Sequence, residues 1–143
     1  MATITPAGLR LIQNYEGVRL KAYRDAVQVL TIGYGHTGPD VTDGLEITQA
    51  RADELLRQDV ARFERGVEDA LTRAATAGQF DAMVSLAFNI GLGAFRSSTL
   101  LRLFNEGKPR EAAQQFGEWV MAGPQVLRGL VRRRVAEVIR FLD

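Results

Sequence analysis

Apolar residues recur at helical spacing through most of this chain, with one early interruption of β-branched and aromatic character. Leu9 and Ile12 lead to Tyr15 and Glu16 after Thr5-Pro6, a hydroxyl cap with proline in the first turn, and Gly17 supplies a stop. This predicts a helix over 5–16. Val27 to Tyr34 is strand-like, and Gly33, Gly35, Gly38-Pro39 and Asp43-Gly44 mark turns, so residues 20–47 predict a small antiparallel sheet. Thr48 then caps a long helix to about Thr72, with Leu55, Leu56, Val60 and Phe63 on one face. Helical segments follow near 77–90, 96–106, 109–121 and 126–142, separated by Gly91-Leu92-Gly93, Gly107-Lys108-Pro109 and Gly123-Pro124. In the last segment Leu127, Leu130, Val131, Val135, Val138, Ile139 and Leu142 form a stripe that predicts the buried face. Arg133 and Arg140 point away from that stripe. Arg134 falls within it and needs a carboxylate or carbonyl partner.

The order of elements predicts an α+β, mostly helical fold in a single domain of 143 residues. A sheet lobe over about 17–48 and a helical lobe over about 73–143, joined by helix 5–16, would flank a groove. The helix over about 49–72 links them. With 46% hydrophobic and 24% charged residues, a packed core is expected. The absence of cysteine excludes disulfides, thiolate metal sites and a cysteine nucleophile. No apolar run approaches the roughly 20 residues that span a bilayer, and no secretory signal pattern opens the chain. The net charge of +1 is unevenly spread: residues 1–95 hold 9 basic and 12 acidic side chains, residues 96–143 hold 9 and 5. A basic C-terminal part suits an anionic surface, although solvated helix faces explain it equally well.

Candidate chemistry concentrates in one short stretch. Glu16 ends the first helix, where the dipole disfavours negative charge. Asp25 follows nine residues on, and Thr31 six further, in the strand-like run. Two carboxyls flanking one bond are the minimum for glycoside hydrolysis: one donates a proton to the leaving oxygen, the other activates water or meets the cationic sugar. Spacing alone leaves ordinary alternatives open. Glu16 suits a solvated helix end, Asp25 a turn cap and Thr31 plain strand propensity.

The surrounding residues sharpen this. Glu16-Gly17, then Leu20-Lys21-Ala22-Tyr23-Arg24-Asp25, then Thr31-Ile32-Gly33-Tyr34-Gly35-His36, resemble the phage-type lysozymes, or endolysins. So do Leu56-Arg57-Gln58-Asp59-Val60, the run from Gln79 to Gly91, the run from Ala94 to Leu101, and Gly129 to Arg134, the last two resembling the lambdoid and prophage branch. The resemblance implies a lysozyme-like fold and a muramidase acting on bacterial peptidoglycan. Glu16 would be the general acid, and Asp25 with Thr31 would hold the attacking water or meet the sugar directly. It further implies substrate contacts at Gly35, His36, Phe88, Asn89 and Arg134. His36 would be fastened to Asp59, and Arg134 would be a charge partner of Glu16. No cofactor, metal, nucleic acid or stable membrane insertion is implied, and the protein is expected to be a monomer. It would accumulate in the host cytoplasm and reach the wall after release.

The chain departs from the family pattern at turns. Gln28 stands where glycine is usual, Leu30 where an aromatic is usual, and Pro124 and Arg128 alter the stretch before the last helix. A left-handed Gln28 would cost about 1 kcal/mol; otherwise the turn is rearranged. Two readings from other classes are a nucleic-acid-binding helical domain using Arg132-Arg133-Arg134, and a wall-binding relative without catalysis. No basic patch interleaved with aromatics supports the first, and the intact Glu16, Asp25 and Thr31 disfavour the second.

Overall fold

A computed structural model describes residues 2–143. The chain forms two compact units, one of residues 13–62 and one of residues 63–143 with the N-terminal segment through Ile12. Helix α1 (Pro6–Glu16) and helix α2 (Gln49–Ala70) each contribute to both units. Thr5 caps α1 as its position suggests, its hydroxyl accepting from Gly8 N–H at 3.2 Å, and Thr48 caps α2 by accepting from Arg51 N–H at 3.1 Å.

In the unit of residues 13–62, strands β1 (Arg19–Arg24), β2 (Leu30–Gly33) and β3 (His36–Thr37) form an antiparallel sheet in that order. Tyr23 faces Thr31 and Arg24 faces Leu30, while the register between Arg19 and Tyr23 shifts through a bulge. The free edge of β1 is taken by the chain entering α2: Ala22 N–H donates to Leu45 O and Ile47 N–H to Leu20 O, both at 2.8 Å. Period-two alternation sends Leu30 and Ile32 to one face, where Ile32, Val41 and Leu55 form a small core. The strand is shorter than the run from Val27 to Tyr34 predicts. Residues 25–29 turn instead, because the Asp25 carboxylate captures backbone N–H groups that a ladder would otherwise use.

The larger unit is helical. Helix α3 (Ala77–Ile90) matches its predicted span and opens with a capping box, in which Thr76 and Gln79 each satisfy the other's backbone N–H. The predicted helix over 96–106 is the shorter α5 (Thr99–Asn105), and a separate short helix, α4 (Leu92–Arg96), begins within the expected break at Gly91-Leu92-Gly93. Ser98 divides them, its hydroxyl donating to Phe95 O and accepting from Leu101 N–H. The predicted helix over 109–121 ends early, as α6 (Pro109–Gln114) runs into a single 3-10 turn over Gln115–Glu118. A hairpin of β4 (Met121–Ala122) and β5 (Gln125–Val126) then precedes α7 (Arg128–Leu142). Its two-residue loop is Gly123-Pro124 with Gly123 at φ 59°, the first-position glycine of a tight hairpin turn.

The face of α7 is the largest correction. Arg133, Arg134, Glu137 and Phe141 are buried, while Val131, Val135, Ile139 and Leu142 are exposed. Arg133 and Arg140, expected to point outward, turn in. Arg140 donates to the buried Asp81 carboxylate at 2.9 Å, and Asp81 also takes the N–H and hydroxyl of Thr5. Ion pairs, not the apolar stripe, decide which side of α7 packs.

Candidate active site

The unit of residues 13–62 holds Glu16, Asp25 and Thr31 together. Glu16 is the last residue of α1, and Gly17 N–H closes the helix on Gln13 O at 3.3 Å. The carboxyl of Glu16 lies against Gly35: a methyl group built on that glycine would stand 3.7 Å from Glu16 Oε1. Gly35 follows β2 with φ 83°, so a side chain there would be strained and would stand in van der Waals contact with the carboxyl.

Asp25 sits at the head of the β1–β2 turn. Its Oδ1 accepts from Val27 N–H and Val29 N–H, both at 2.9 Å, and its backbone pairs with Val29 and Gln28. The turn therefore fixes the orientation of the carboxylate and occupies one of its oxygens. Gln28 takes the left-handed conformation at φ 68°, and the turn keeps the shape that glycine usually supplies. Arg24 donates to the Gln28 carbonyl at 3.1 Å and ties the turn to β1. Thr31 lies on the opposite face of β2 from Leu30 and Ile32 and is 4% exposed. Its hydroxyl donates to Val29 O at 2.9 Å, so both Asp25 and Thr31 bond to the same residue of the turn.

His36 is braced on both sides. Nδ1 lies 2.8 Å from Asp59 on α2, the expected partner, and Nε2 lies 2.9 Å from Asp40, which the sequence did not single out. Burial works against the imidazolium, but its hydrogen bonds to the Asp59 and Asp40 carboxylates outweigh it and raise its pKa above 6.5. The same contact holds Asp40 below the ordinary carboxylate value. Both ring nitrogens are committed to carboxylates, which makes His36 a brace between β3 and α2.

The larger unit holds Phe88, Asn89 and Arg134. Phe88 is half-buried at the end of α3 and meets Phe63 edge-to-face at 5.1 Å between ring centres; Asn89 is exposed beside it. Asn89 lines a cavity of about 390 Å³ with Glu118, Trp119, Met121 and Leu130. Trp119 and Glu118 escaped the sequence reading because a helix was expected to continue through them. The aromatic next to a predicted Gly-Pro turn was the available signal. Arg134 pairs with Glu137 at 2.7 Å and donates to Trp119 O at 3.2 Å, which ties α7 to the cavity wall. Glu137 is also bonded by Ser85 and Arg133. Its burial raises its pKa, with the two arginines and Ser85 opposing. Among the described residues no group of three or more His, Asp and Glu side chains is arranged to hold a metal ion.

The phage lysozyme family model matches residues 13–137, nearly the whole chain. The chain belongs to the phage lysozyme family. Among its relatives, an endolysin of Bacillus phage PZA is 48% identical over 96% of the chain. An endolysin of Acyrthosiphon pisum secondary endosymbiont phage 1 is 42% identical over 96% of the chain and 97% of its own length. The chain spans only 54% of the Bacillus phage protein, about half its length. In structure, the muramidase domain of SpmX from Asticaccaulis excentricus superposes with a TM-score of 0.94 at 39% identity, over 100% of this chain and 99% of that one. These likenesses establish a lysozyme-like α+β fold. Among the described residues no helix is long and apolar enough to cross a membrane.

Proposed function

We propose that this phage lysozyme is a muramidase that hydrolyses the β-1,4 bond between N-acetylmuramic acid and N-acetylglucosamine in bacterial peptidoglycan and so lyses cells. The observation that carries the reading is the shared frame of Glu16, Asp25 and Thr31. A carboxyl on a helix end and a carboxylate on a hairpin turn belong to one compact unit. Strand β2, which follows that turn, carries the Thr31 hydroxyl, which bonds the same turn residue as the carboxylate. In this reading Glu16 protonates the leaving oxygen, and the bare Gly35 leaves room for sugar beside it. Asp25 acts through the oxygen that the turn leaves over, with Thr31, either on a water or on the sugar carbon itself. Phe88 and Asn89 contribute glycan contacts, while Arg134, itself buried, acts through its bond to the Trp119 carbonyl, and the cavity at Trp119 offers an indole for a sugar ring with Glu118 and Asn89 as hydrogen-bonding partners. Relatives named endolysins and a structural neighbour named a muramidase domain support the substrate class.

The test is Glu16→Gln, which keeps shape and removes the proton donor. Lysis of chloroform-treated Gram-negative cells is expected to fall at least about a thousandfold, with an unchanged circular dichroism spectrum. Near wild-type lysis by the folded variant would sink the reading. NMR of the fresh reducing-end anomer separates water attack from direct attack by Asp25. A folded wild-type chain that binds peptidoglycan without releasing product would favour the wall-binding reading.

A further inference from the structure

Strand β1 carries three cations, Arg19, Lys21 and Arg24, and no acid. Arg24 is engaged at the β1–β2 turn, where it donates to the Gln28 carbonyl. Arg19 is exposed, and its guanidinium carbon lies over the Tyr23 ring, 4.6 Å from the ring centre. Among the described residues no carboxylate pairs with Arg19. The ring restrains the long side chain and leaves its planar N–H fork for a partner that the chain itself does not supply. Register places that fork beside Thr31. Tyr23 stands directly opposite Thr31, and directly opposed residues share a face, with Cβ atoms about 5 Å apart. Their neighbours Ala22 and Leu30 pack with Ile32 on the other face. Tyr23 and Thr31 therefore share the face turned away from that core. Stacking on Tyr23 brings the Arg19 charge back along the strand, to within on the order of 10 Å of Thr31.

The chemistry of the substrate supplies the missing partner. On the muramidase reading, on which this inference rests, the sugar whose reacting carbon meets Asp25 and Thr31 is N-acetylmuramic acid. Its lactyl group ends in a carboxyl, which is free in a bare glycan strand. In intact wall that carboxyl is joined to a stem peptide with carboxylates of its own. N-acetylglucosamine carries no such group. Three extended residues of peptide reach about 10 Å, so a carboxylate on the lactyl group or early in the stem falls within reach of Arg19. A guanidinium fork donates two parallel hydrogen bonds to one carboxylate. One face of the Tyr23 ring is already covered by Arg19, so this position presents charge and not a bare aromatic platform for sugar.

We propose that Arg19, held by Tyr23, is a specificity-determining residue that binds a carboxylate of the muramyl residue, carried on its lactyl group or on its stem peptide. The test uses purified peptidoglycan, the same material with its carboxylates amidated by carbodiimide and glycinamide, and glycan strands stripped of peptide by an amidase. Arg19→Ala is expected to raise the apparent KM about fivefold on native peptidoglycan with little change in kcat, the pattern of lost uniform binding. On amidated peptidoglycan the wild type and Arg19→Ala should share one KM. Arg19→Lys should recover part of the loss, because it keeps the charge without the fork. Tyr23→Phe should behave as wild type, and Tyr23→Leu should lose part of the discrimination. Persistence of the Arg19 effect on stripped strands assigns the carboxylate to the lactyl group, and its disappearance assigns it to the peptide. The proposal is overturned if Arg19→Ala leaves KM unchanged on native peptidoglycan, or if its KM rises as much on the amidated material. Failure of the muramidase reading shows separately, as the absence of new reducing ends with the wild type. Co-sedimentation of wild type and Arg19→Ala with native and amidated peptidoglycan then decides the proposal by the same comparison.

Discussion

Helices α2 and α7 are both amphipathic, yet they present opposite sides to the protein. In α2 the periodic apolar residues Leu55, Leu56, Val60 and Val67 are buried, and Glu54, Arg57 and Gln58 face water. In α7 the periodic apolar residues face water, and Arg133, Arg134 and Glu137 are buried. The stripe alone identifies a helix in both cases. What separates them is partner chemistry. On α2 the buried Glu64 accepts from Ile4 N–H without displacing the apolar face, whereas α3 offers Ser85 and Asp81 to the arginines of α7. A buried charge is costly without partners, and with them it can displace an apolar face.

The comparison breaks most visibly at Glu137. Glu137→Ala leaves Arg133 and Arg134 buried without their shared carboxylate and is expected to cost about 3–5 kcal/mol in denaturant unfolding. Replacing Arg133, Arg134 and Glu137 together by methionine and leucine is expected to restore most of that loss. If Glu137→Ala alone cost under about 1 kcal/mol, the ionic cluster would not be what orients α7. The apolar counterpart in α2 is Leu56→Ala, with an expected cost of about 2–4 kcal/mol from lost burial and the cavity left behind. Ile139→Ser on α7 is expected to change stability by less than about 0.5 kcal/mol. Equal costs at Leu56 and Ile139 would mean that α7 is not inverted.

The same contrast explains what was legible in the sequence. Local signals held. Thr5-Pro6, Gly17 and Thr48 end or begin helices where their chemistry says they should, and His36 meets Asp59 as the family resemblance implied. Glu16, Asp25 and Thr31 were legible as a candidate set because local turns and strands position all three. Features that depend on distant partners were hidden. The inverted α7 rests on residues about fifty positions upstream. Asp40 is only four residues from His36, but it is the turn after β3 that folds it back, and no periodic pattern registers that turn. The β4–β5 hairpin was missed because its strands are two residues each, too short for any period to register.

His36 tests how far the braced sheet depends on charge. Its pKa is raised on folding, so the brace contributes fully below pH 6.5 and fades as pH rises through the raised value. The contribution of Asp40, held low, has the opposite sense and is lost as pH falls through its lowered value. Asp59→Asn is therefore expected to cost about 1–2 kcal/mol at pH 5.5 and clearly less at pH 9. A cost that is the same at both values would make the contact a neutral hydrogen bond.

The smallest expected effect is at Gln28, where local strain can be separated from side-chain contacts. Its left-handed backbone costs a non-glycine residue roughly 1–2 kcal/mol. The bonds that hold the turn run through backbone atoms, the Gln28 carbonyl with Arg24 and the Gln28 N–H with Asp25 O. Gln28→Asn keeps those bonds and suits the left-handed region, so it is expected to stabilise by about 0.5 kcal/mol. Gln28→Gly relieves more strain but adds about 0.5–1 kcal/mol of unfolded-chain entropy, which leaves it close to wild type. Because Val27 and Val29 N–H stay on the Asp25 carboxylate in either variant, lysis should be unchanged in both. A loss of lysis with unchanged stability would show that the Gln28 side chain, and not the backbone shape it accepts, matters to the site.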